Sequence, residues 1–225
     1  MRVVIAHSTP SGRDLDLSTY LVTDTVLCGP RGVPHVVAAA VRGGVTCVQV
    51  REKFASAREF LALVGAVVEV AGAVPVLVND RLDVALAARA HGVPVAGVHV
   101  GRSDLPVPII RDLLWPDAVL GFSVGRTSEL AELAVWPADT VDYLGVGPVR
   151  DTATKPGHDP AIGLAGAARI VASTTLACVA IGGLDAEIAG QLHRAGLAGA
   201  AYVSAICAAD DPQQAADVLS AAWAR

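Results

Sequence analysis

Two basic side chains and an amide stand at alternate positions after one apolar segment of the chain. Gln49, Arg51 and Lys53 follow the run that begins at Cys47, and residues two apart in an extended strand point to the same face. Two cations and an amide on one face can bind an anion, and an Arg guanidinium can donate two parallel hydrogen bonds to a phosphate. The spacing therefore predicts a phosphate clamp. The sequence leaves open the alternative that both cations lie on the surface and are neutralised by Glu52.

Two carboxylates close successive apolar runs further along the chain. Asp80 follows the run that begins near Val76, and Asp104 follows the next run, which begins near Gly97. Proteins bind Mg²⁺ through a few carboxylates together with waters and substrate phosphate oxygens, so the pair predicts a magnesium site beside the phosphate clamp. The alternatives are an ion pair between Asp80 and Arg81, and a helix N-cap formed by Asp104 before Leu105-Pro106.

Glycines and a hydroxyl follow the last two apolar runs. Gly182-Gly183 comes after the run that begins near Cys178, and Val203-Ser204 comes after the last run, which begins near Ala200. In an α/β barrel, backbone N–H groups at these places commonly bind a phosphomonoester. A tight turn is the alternative role for the glycines. With the clamp, the pattern indicates two phosphate sites of different kinds, which suits a reaction that joins two phosphorylated substrates and releases diphosphate.

One histidine and one serine close to these segments could take part in catalysis. His99 lies in the run that begins near Gly97 and could act as a base. A strand histidine is, however, more often a structural residue whose ring nitrogens are hydrogen-bonded. Ser123 ends the run that begins near Val119 and has no evident base partner in the sequence, so we do not expect it to be a nucleophile.

The residues above are positioned by eight short, β-branched runs that alternate with stretches of helical periodicity. The runs begin near Tyr20, Cys47, Val76, Gly97, Val119, Tyr143, Cys178 and Ala200. The helical stretches are Pro34–Arg42, Ala55–Ala71, Asp83–Ala90, Val107–Leu114, Thr127–Val135, Leu164–Ala172, Ala186–Ala195 and Asp211–Ala224. Eight strand–helix units in one small domain predict a parallel (β/α)₈ TIM barrel, and an open doubly wound sheet is the alternative. The longest connection, from Gly147 to Gly163, is predicted to be functional.

Composition narrows the class of protein. The 225 residues suffice for one domain, and the formal net charge of −5 argues against nucleic acid as a partner. Four cysteines form no CxxC pair and no zinc spacing, which predicts reduced, buried thiols in a cytoplasmic protein. They are Cys28, Cys47, Cys178 and Cys207.

Two segments need separate consideration as targeting or membrane elements. The first sixteen residues contain only a five-residue apolar patch, too short for a signal peptide, and are interpreted as an extension. We therefore predict an N-terminal extension and lead-in over residues 1–19 and a catalytic barrel over residues 20–225. The apolar stretch from Phe60 to Val78 is interrupted by Glu69, Gly72 and Pro75, so a helix, a turn and a strand are expected instead of a membrane span.

A series of short segments resembles the thiamine-phosphate synthase family, in the family's order over about residues 20 to 220. These segments are Tyr20–Asp24, Val48–Lys53, Val78–Arg81, Gly97–Gly101, Asp104–Pro106, Gly121–Ser123, Asp142–Pro148, Thr152–Lys155, Ala180–Leu184 and Val203–Ile206. The resemblance implies an enzyme that joins hydroxymethylpyrimidine diphosphate to thiazole phosphate, giving thiamine phosphate and diphosphate. Small molecules are then its substrates, and the sequence leaves a homo-oligomer open.

The resemblance also implies roles for individual residues. The pyrimidine diphosphate would be held by Gln49, Arg51, Lys53, Asn79, Ser123 and Lys155, of which Arg51, Lys53, Ser123 and Lys155 are expected to contribute to catalysis. The thiazole phosphate would be held by Thr152, Thr154, Gly183, Val203 and Ser204. The cofactor would be Mg²⁺, bound by Asp80 and Asp104. Electrostatic stabilisation of the departing diphosphate would be the main catalytic effect.

The chain departs from the family pattern at two positions near these residues. Arg102 stands where the family usually has Gln, which could alter affinity for the diphosphate, and Ala96 stands where it usually has Asp. Two alternatives to the synthase remain. One is a thiazole tautomerase, a barrel isomerase with a catalytic His near the end of the fifth strand, where this chain has Ser123. The other is a non-catalytic protein that binds thiazole phosphate.

Overall fold

Eight parallel strands close into a barrel in the computed structural model, which describes residues 15–152 and 159–224. The strands are β1 Thr19–Val22, β2 Cys47–Val50, β3 Val76–Asn79, β4 Gly97–Val100, β5 Val119–Val124, β6 Tyr143–Val146, β7 Ala177–Ile181 and β8 Gly199–Tyr202. Each strand pairs with the next, and β1 also pairs with β8, with Leu21 opposite Tyr202. The predicted (β/α)₈ barrel is confirmed, and the open doubly wound sheet is wrong.

Helices follow the strands and cover the outside of the barrel. They are α1 Thr25–Cys28, α2 Val33–Arg42, α3 Ala57–Ala71, α4 Leu82–Ala90, α5 Val107–Leu113, α6 Leu130–Leu133, α7 Gly163–Val171, α8 Ala186–Arg194, α9 Ser204–Cys207 and α10 Pro212–Trp223. The start signals act as expected at α10, where Asp211 accepts hydrogen bonds from the backbone N–H groups of Gln213 and Gln214. Periodicity predicted the longer helices to within two residues of their observed ends.

One predicted helix is divided in the structure. The stretch Thr127–Val135 forms a 3₁₀ turn over Thr127–Glu129 and then the four-residue α6. The Glu129 carboxylate accepts hydrogen bonds from the backbone N–H groups of Gly125, at 2.7 Å, and Arg126, at 3.3 Å. These bonds hold the chain in a tight reversal after β5, which favours the tighter 3₁₀ turn.

Alternation of side chains along the strands produces two apolar layers. In β1, Tyr20 and Val22 point into the barrel, while Leu21 packs against the helices. The inner layer also contains Leu77 and Val119. Because both faces of the strands are largely buried, most strand residues on both faces are apolar, as is typical of parallel sheets.

The amino-terminal end of the barrel is held by a buried ion pair. Arg111 of α5 contacts Asp142 through Nη2 and Oδ2 at 2.5 Å, and it donates to the carbonyl groups of Ala118 and Thr140 at 2.8 and 3.0 Å. Asp142 also accepts from the backbone N–H of Leu120 at 2.7 Å. This cluster lies at the starts of β5 and β6, at the end of the barrel opposite the one where barrel enzymes have their active sites.

The predictions about cysteines and membrane segments agree with the structure. All four cysteines are free and buried, and burial raises the pKa of the Cys178 thiol to about 12. The stretch from Phe60 to Val78 is divided between α3 and β3. Within the described residues, no helix is long and apolar enough to cross a membrane. The predicted boundary between an extension and the barrel stays a prediction, since residues 1–14 lie outside the described part.

Candidate active site

A cavity of about 530 Å³ opens at the carboxyl ends of the strands, where barrel enzymes have their active sites. It brings together all of the predicted site residues that the structure describes. These are Gln49, Arg51, Lys53, Asn79, Asp80, Asp104, Ser123, Thr152, Gly183, Val203 and Ser204. The predicted residues Thr154 and Lys155 lie outside the described residues. The other predicted residues lie at successive strand ends around the cavity. Their individual roles stay predictions.

The guanidinium of Arg51 is anchored by an acidic residue from the neighbouring strand end. Its Nη1 lies 2.9 Å from Oδ2 of Asp24, and both side chains are about 15% exposed. The other oxygen of Asp24 caps α1 by accepting from the backbone N–H groups of Val26 and Leu27. Glu52 accepts hydrogen bonds elsewhere, so the alternative of surface cations neutralised by Glu52 does not describe Arg51. The carboxylate of Asp24 therefore orients the clamp.

Lys53 and Asp80 form the next ion pair around the cavity. Lys53 Nζ lies 2.8 Å from Asp80 Oδ2, and Asn79 donates to Asp80 Oδ1 at 2.6 Å. Asp80 has a φ of +60°, a left-handed conformation that Asp and Asn tolerate better than other residues with a side chain. The alternative pairing of Asp80 with Arg81 is wrong, because Arg81 binds Asp83 instead.

Asp104 approaches Asp80 from the end of β4. Its Oδ2 accepts a hydrogen bond from the backbone N–H of Gly101 at 2.7 Å, and the residue at the N-cap of α5 is Pro106, so the capping alternative is wrong. Burial raises the pKa of the Asp104 carboxyl, and the adjacent carboxylate of Asp80 raises it further. A divalent cation would relieve this repulsion, so the two carboxylates fit the predicted Mg²⁺.

The metal site would be completed by oxygen atoms that do not come from acidic residues. Among the described residues, no group of three or more His, Cys, Asp or Glu side chains could hold a metal ion. A site with two carboxylates is typical of Mg²⁺, which keeps several waters and binds substrate phosphate oxygens.

Ser123 is hydrogen-bonded to a histidine, which corrects an expectation from the sequence. His99 Nε2 lies 2.9 Å from Ser123 Oγ, so Ser123 does have an imidazole partner. The contact is possible because His99 lies opposite Gly121 in the strand register, and glycine leaves room for the ring beside β5. The other ring nitrogen, Nδ1, contacts the hydroxyl of Tyr143 at 2.8 Å. His99 is therefore hydrogen-bonded at both nitrogens, as expected of a structural histidine.

The glycine pair after β7 packs closely against the loop that follows β6. Gly183 has a φ of +63°, and a Cβ atom there would lie 2.6 Å from the carbonyl oxygen of Asp151. A Cβ atom at Gly182 would lie 2.6 Å from Cβ of Pro148. Glycine is therefore required at both positions, and the exposed backbone of this turn lines the cavity together with Val203 and Ser204.

Arg102 lies at the rim of the cavity and is held by two carboxylates. Its guanidinium contacts Glu129 at 2.5 Å and Glu132 at 2.8 Å, and its side chain is about half exposed. These contacts connect the loop after β4 to the 3₁₀ turn and α6. The extra arginine is therefore a rim residue neutralised by neighbouring acids in this structure.

The comparison with known proteins assigns the chain to a family. The sequence model described as thiamine monophosphate synthase (TMP-TENI) matches residues 19–206. The chain belongs to this family. It is 43% identical over 206 residues to the thiamine-phosphate synthase of Psychrobacter sp. (strain PRwf-1), covering 91% of this chain and 94% of that protein. It is 46% identical over 202 residues to the thiamine-phosphate synthase of Albidiferax ferrireducens, covering 89% of each.

A solved structure gives the same assignment to the thiamine monophosphate synthase family. Thiamine phosphate pyrophosphorylase from Pyrococcus furiosus superposes on this chain with a TM-score of 0.81 at 31% identity. The superposition covers 93% of this chain and 96% of that one. Fold and sequence therefore assign the chain to one family over nearly the same residues.

Three residues at the candidate site had no role in the sequence analysis. Asp24 was noted only as part of a motif, and Tyr20 and Tyr143 only as the starts of strands. One signal was present for the tyrosines, since the chain has three in all and a buried tyrosine hydroxyl usually needs a partner. The partners of Asp24 and of the tyrosines come from other strands, so spacing along the chain could not reveal them.

Proposed function

We propose that this chain catalyses the synthesis of thiamine phosphate from hydroxymethylpyrimidine diphosphate and thiazole phosphate, with release of diphosphate. One observation carries the proposal. A single cavity has cations and paired carboxylates on one side and a glycine-rich backbone turn on the other. These two surfaces suit two phosphorylated substrates of different charge. Membership of the thiamine monophosphate synthase family supports the same reaction.

The diphosphate belongs, in this proposal, on the side formed by the ends of β2, β3 and β4. Arg51 is held in place by Asp24, so little side-chain entropy is lost when it binds an anion. Lys53 can move from Asp80 to a phosphate oxygen. Mg²⁺, when bound by Asp80 and Asp104, supplies positive charge to the diphosphate oxygens. Lys155, outside the described residues, is assigned to the same group by the resemblance alone.

The thiazole phosphate belongs on the opposite side, at the ends of β7 and β8. Backbone N–H groups of the turn at Gly183 and of the segment at Val203 and Ser204 are suited to a monoester. Thr152 lines the same cavity, and the resemblance adds Thr154. This separation leaves the thiazole ring between its own phosphate and the pyrimidine, which is the arrangement that the reaction needs.

The chemical step requires stabilisation of a leaving group more than proton transfer. The bond between the pyrimidine methylene carbon and the diphosphate oxygen breaks, and both electrons leave with the diphosphate. The lone pair of the thiazole ring nitrogen then forms the new carbon–nitrogen bond. Arg51 and Lys53 hold the charge that develops on the departing oxygen, which is where preorganised cations lower a barrier most.

A direct test measures diphosphate release and thiamine phosphate formation by the purified protein with Mg²⁺. Each substrate is also supplied alone as a control. We expect stoichiometric formation of both products only when both substrates are present. Binding of thiazole phosphate without any turnover would support the non-catalytic alternative and would overturn the proposal.

The tautomerase alternative predicts a different activity and a free catalytic histidine. Here a histidine does reach the end of β5, because His99 of β4 contacts Ser123. Both of its ring nitrogens, however, are engaged in hydrogen bonds, and the fifth strand itself carries no histidine. Incubating the protein with the thiazole tautomer alone, and following its isomerisation, distinguishes the two activities.

A further inference from the structure

Five side chains form a continuous line of hydrogen bonds across the inside of the barrel. Gln49 Nε2 lies 2.9 Å from the hydroxyl of Tyr20, which lies 2.8 Å from the hydroxyl of Tyr143. The Tyr143 hydroxyl lies 2.8 Å from His99 Nδ1, and His99 Nε2 lies 2.9 Å from Ser123 Oγ. The line connects β2, β1, β6, β4 and β5. Its two end residues, Gln49 and Ser123, are among those expected to hold the pyrimidine substrate.

The middle of this line is buried and sterically fixed. Tyr20 and Tyr143 are each 1% exposed, and His99 is 8% exposed. A Cβ atom at Gly121 would overlap the rings of both Tyr143 and His99, and one at Gly145 would lie 2.8 Å from His99 Cε1. The two glycines therefore provide the space in which the rings sit, and the rings have little freedom to move.

One order of donors and acceptors gives every hydroxyl hydrogen within the line a partner in the line. The Gln49 amide nitrogen can only donate, so the Tyr20 oxygen accepts there, and in this order Tyr20 gives its single hydrogen to Tyr143. Tyr143 then gives its hydrogen to His99 Nδ1, which must carry none. The hydrogen of the neutral imidazole is consequently on Nε2 and is donated to Ser123. Burial raises the pKa of both tyrosines, so each keeps the hydroxyl hydrogen that this order requires.

We propose that Tyr20, Tyr143 and His99 are positioning residues that fix the polarity of the two groups at the ends of the line. Ser123, which accepts from His99, is left to donate its hydroxyl hydrogen to the substrate. Gln49, which donates to Tyr20, is left to accept through its amide oxygen. This inference rests on the proposed function, because it assigns these two groups to the pyrimidine substrate.

The polarity has two consequences for the reaction. An aminopyrimidine ring has an amino group that donates and ring nitrogens that accept, so a fixed acceptor and a fixed donor on opposite walls can orient it. His99 is also unable to act as a base toward Ser123, since its Nε2 already carries hydrogen. The Ser123–His99 contact therefore orients the serine hydroxyl and does not activate it as a nucleophile.

The test removes one hydroxyl from the line and compares it with a hydroxyl outside it. Tyr143→Phe breaks the line at its centre. Thr19→Val is the matched control, because Thr19 is 1% exposed, does not line the cavity and, within the described part of the chain, has a hydroxyl without a hydrogen-bond partner. We expect Tyr143→Phe to raise KM for the pyrimidine diphosphate about tenfold while KM for the thiazole phosphate stays constant. Thr19→Val should change neither.

A spectroscopic readout tests the hydrogen positions without depending on activity. The ¹⁵N shifts of the His99 ring, assigned by their loss in His99→Gln, report which nitrogen carries hydrogen. We expect a protonated Nε2 and an unprotonated Nδ1 in the wild-type protein, and a mixture of tautomers in Tyr143→Phe. Hydrogen on Nδ1 of the wild-type ring would overturn the inference.

The outcomes separate this inference from the proposed function. If the wild-type protein forms no thiamine phosphate, the proposed function fails, while the ¹⁵N spectrum still decides the polarity. If the wild-type protein is active and Tyr143→Phe has the same two KM values as Thr19→Val, the positioning role is wrong. Should Tyr143→Phe fail to fold, Tyr20→Phe breaks the line at the Gln49 end and is expected to raise the same KM selectively. An unchanged KM in that variant overturns the inference.

Discussion

Replacing Asp80 by Asn changes one charge at the candidate metal site and little else. Asn tolerates the left-handed backbone that Asp80 adopts, with its φ of +60°. Its amide oxygen can still accept the hydrogen bond that Asn79 donates at 2.6 Å. The variant should therefore fold normally, and its thermal melting should stay within a few degrees of the wild-type value.

The expected loss follows from the charges around the site. Two unit charges about 4 Å apart attract by roughly 4 kcal/mol at an effective dielectric constant of about 20. Asp80→Asn also removes the Lys53–Asp80 ion pair, whose side chains are 42% and 29% exposed. This pair competes with metal binding, so its removal offsets the loss by about 1 kcal/mol at most. A net loss of about 3 kcal/mol corresponds to roughly a hundredfold weaker Mg²⁺ interaction.

The assay is the Mg²⁺ concentration that gives half-maximal diphosphate release, measured at saturating substrates. We expect this concentration to rise about a hundredfold in Asp80→Asn and similarly in Asp104→Asn. Asp83→Asn is the matched control, since Asp83 is 59% exposed and binds Arg81. Unchanged half-saturation in both Asp80→Asn and Asp104→Asn would refute the assignment of the metal to these carboxylates.

Further predictions concern the two phosphate sites and the opposite end of the barrel. Arg51→Ala should weaken binding of the pyrimidine diphosphate about a hundredfold, because a charge-assisted contact is lost; equal weakening of both substrates in calorimetry would contradict two separate sites. Gly183→Ala should raise KM for the thiazole phosphate more than for the diphosphate, since its Cβ would lie 2.6 Å from Asp151 O; unchanged kinetics would remove the turn from that site. Arg111→Ala removes the ion pair with the buried Asp142 and should lower the free energy of unfolding by about 3–5 kcal/mol in denaturant titrations, whereas a loss below about 1 kcal/mol would show that the pair is dispensable.

The strands and long helices could be predicted because each depends on a local pattern. A run such as Ala177–Ile181 is apolar along its length because both of its faces are buried, and that property is visible in the sequence alone. The four-residue helices α1 and α9 were not predicted, because so short a segment shows no helical periodicity. They form where strand ends turn outward, and Asp24 caps the first of them.

The candidate site could be predicted as a set of residues and not as a set of contacts. Polar residues at the ends of parallel strands must meet at one end of a barrel, so their grouping follows from topology. Their pairing does not, because Arg51 reaches Asp24 and Lys53 reaches Asp80 across strand boundaries. The contact between His99 and Ser123 depends on Gly121, which lies opposite His99 in the strand register and leaves room for its ring. A single sequence does not reveal this register.

The fit between two glycines and two large rings inside the barrel restricts how this sequence can change. A side chain at Gly121 or Gly145 overlaps the rings of Tyr143 or His99, and overpacking of this kind costs about 1–3 kcal/mol. Shrinking a ring first leaves a cavity, which costs about 3–5 kcal/mol for a large aromatic. Against a total stability of about 5–15 kcal/mol, either single step is a large loss. Neutral drift at these positions therefore has to proceed by coupled substitutions, and a mutagenesis library should vary a glycine and its facing ring together.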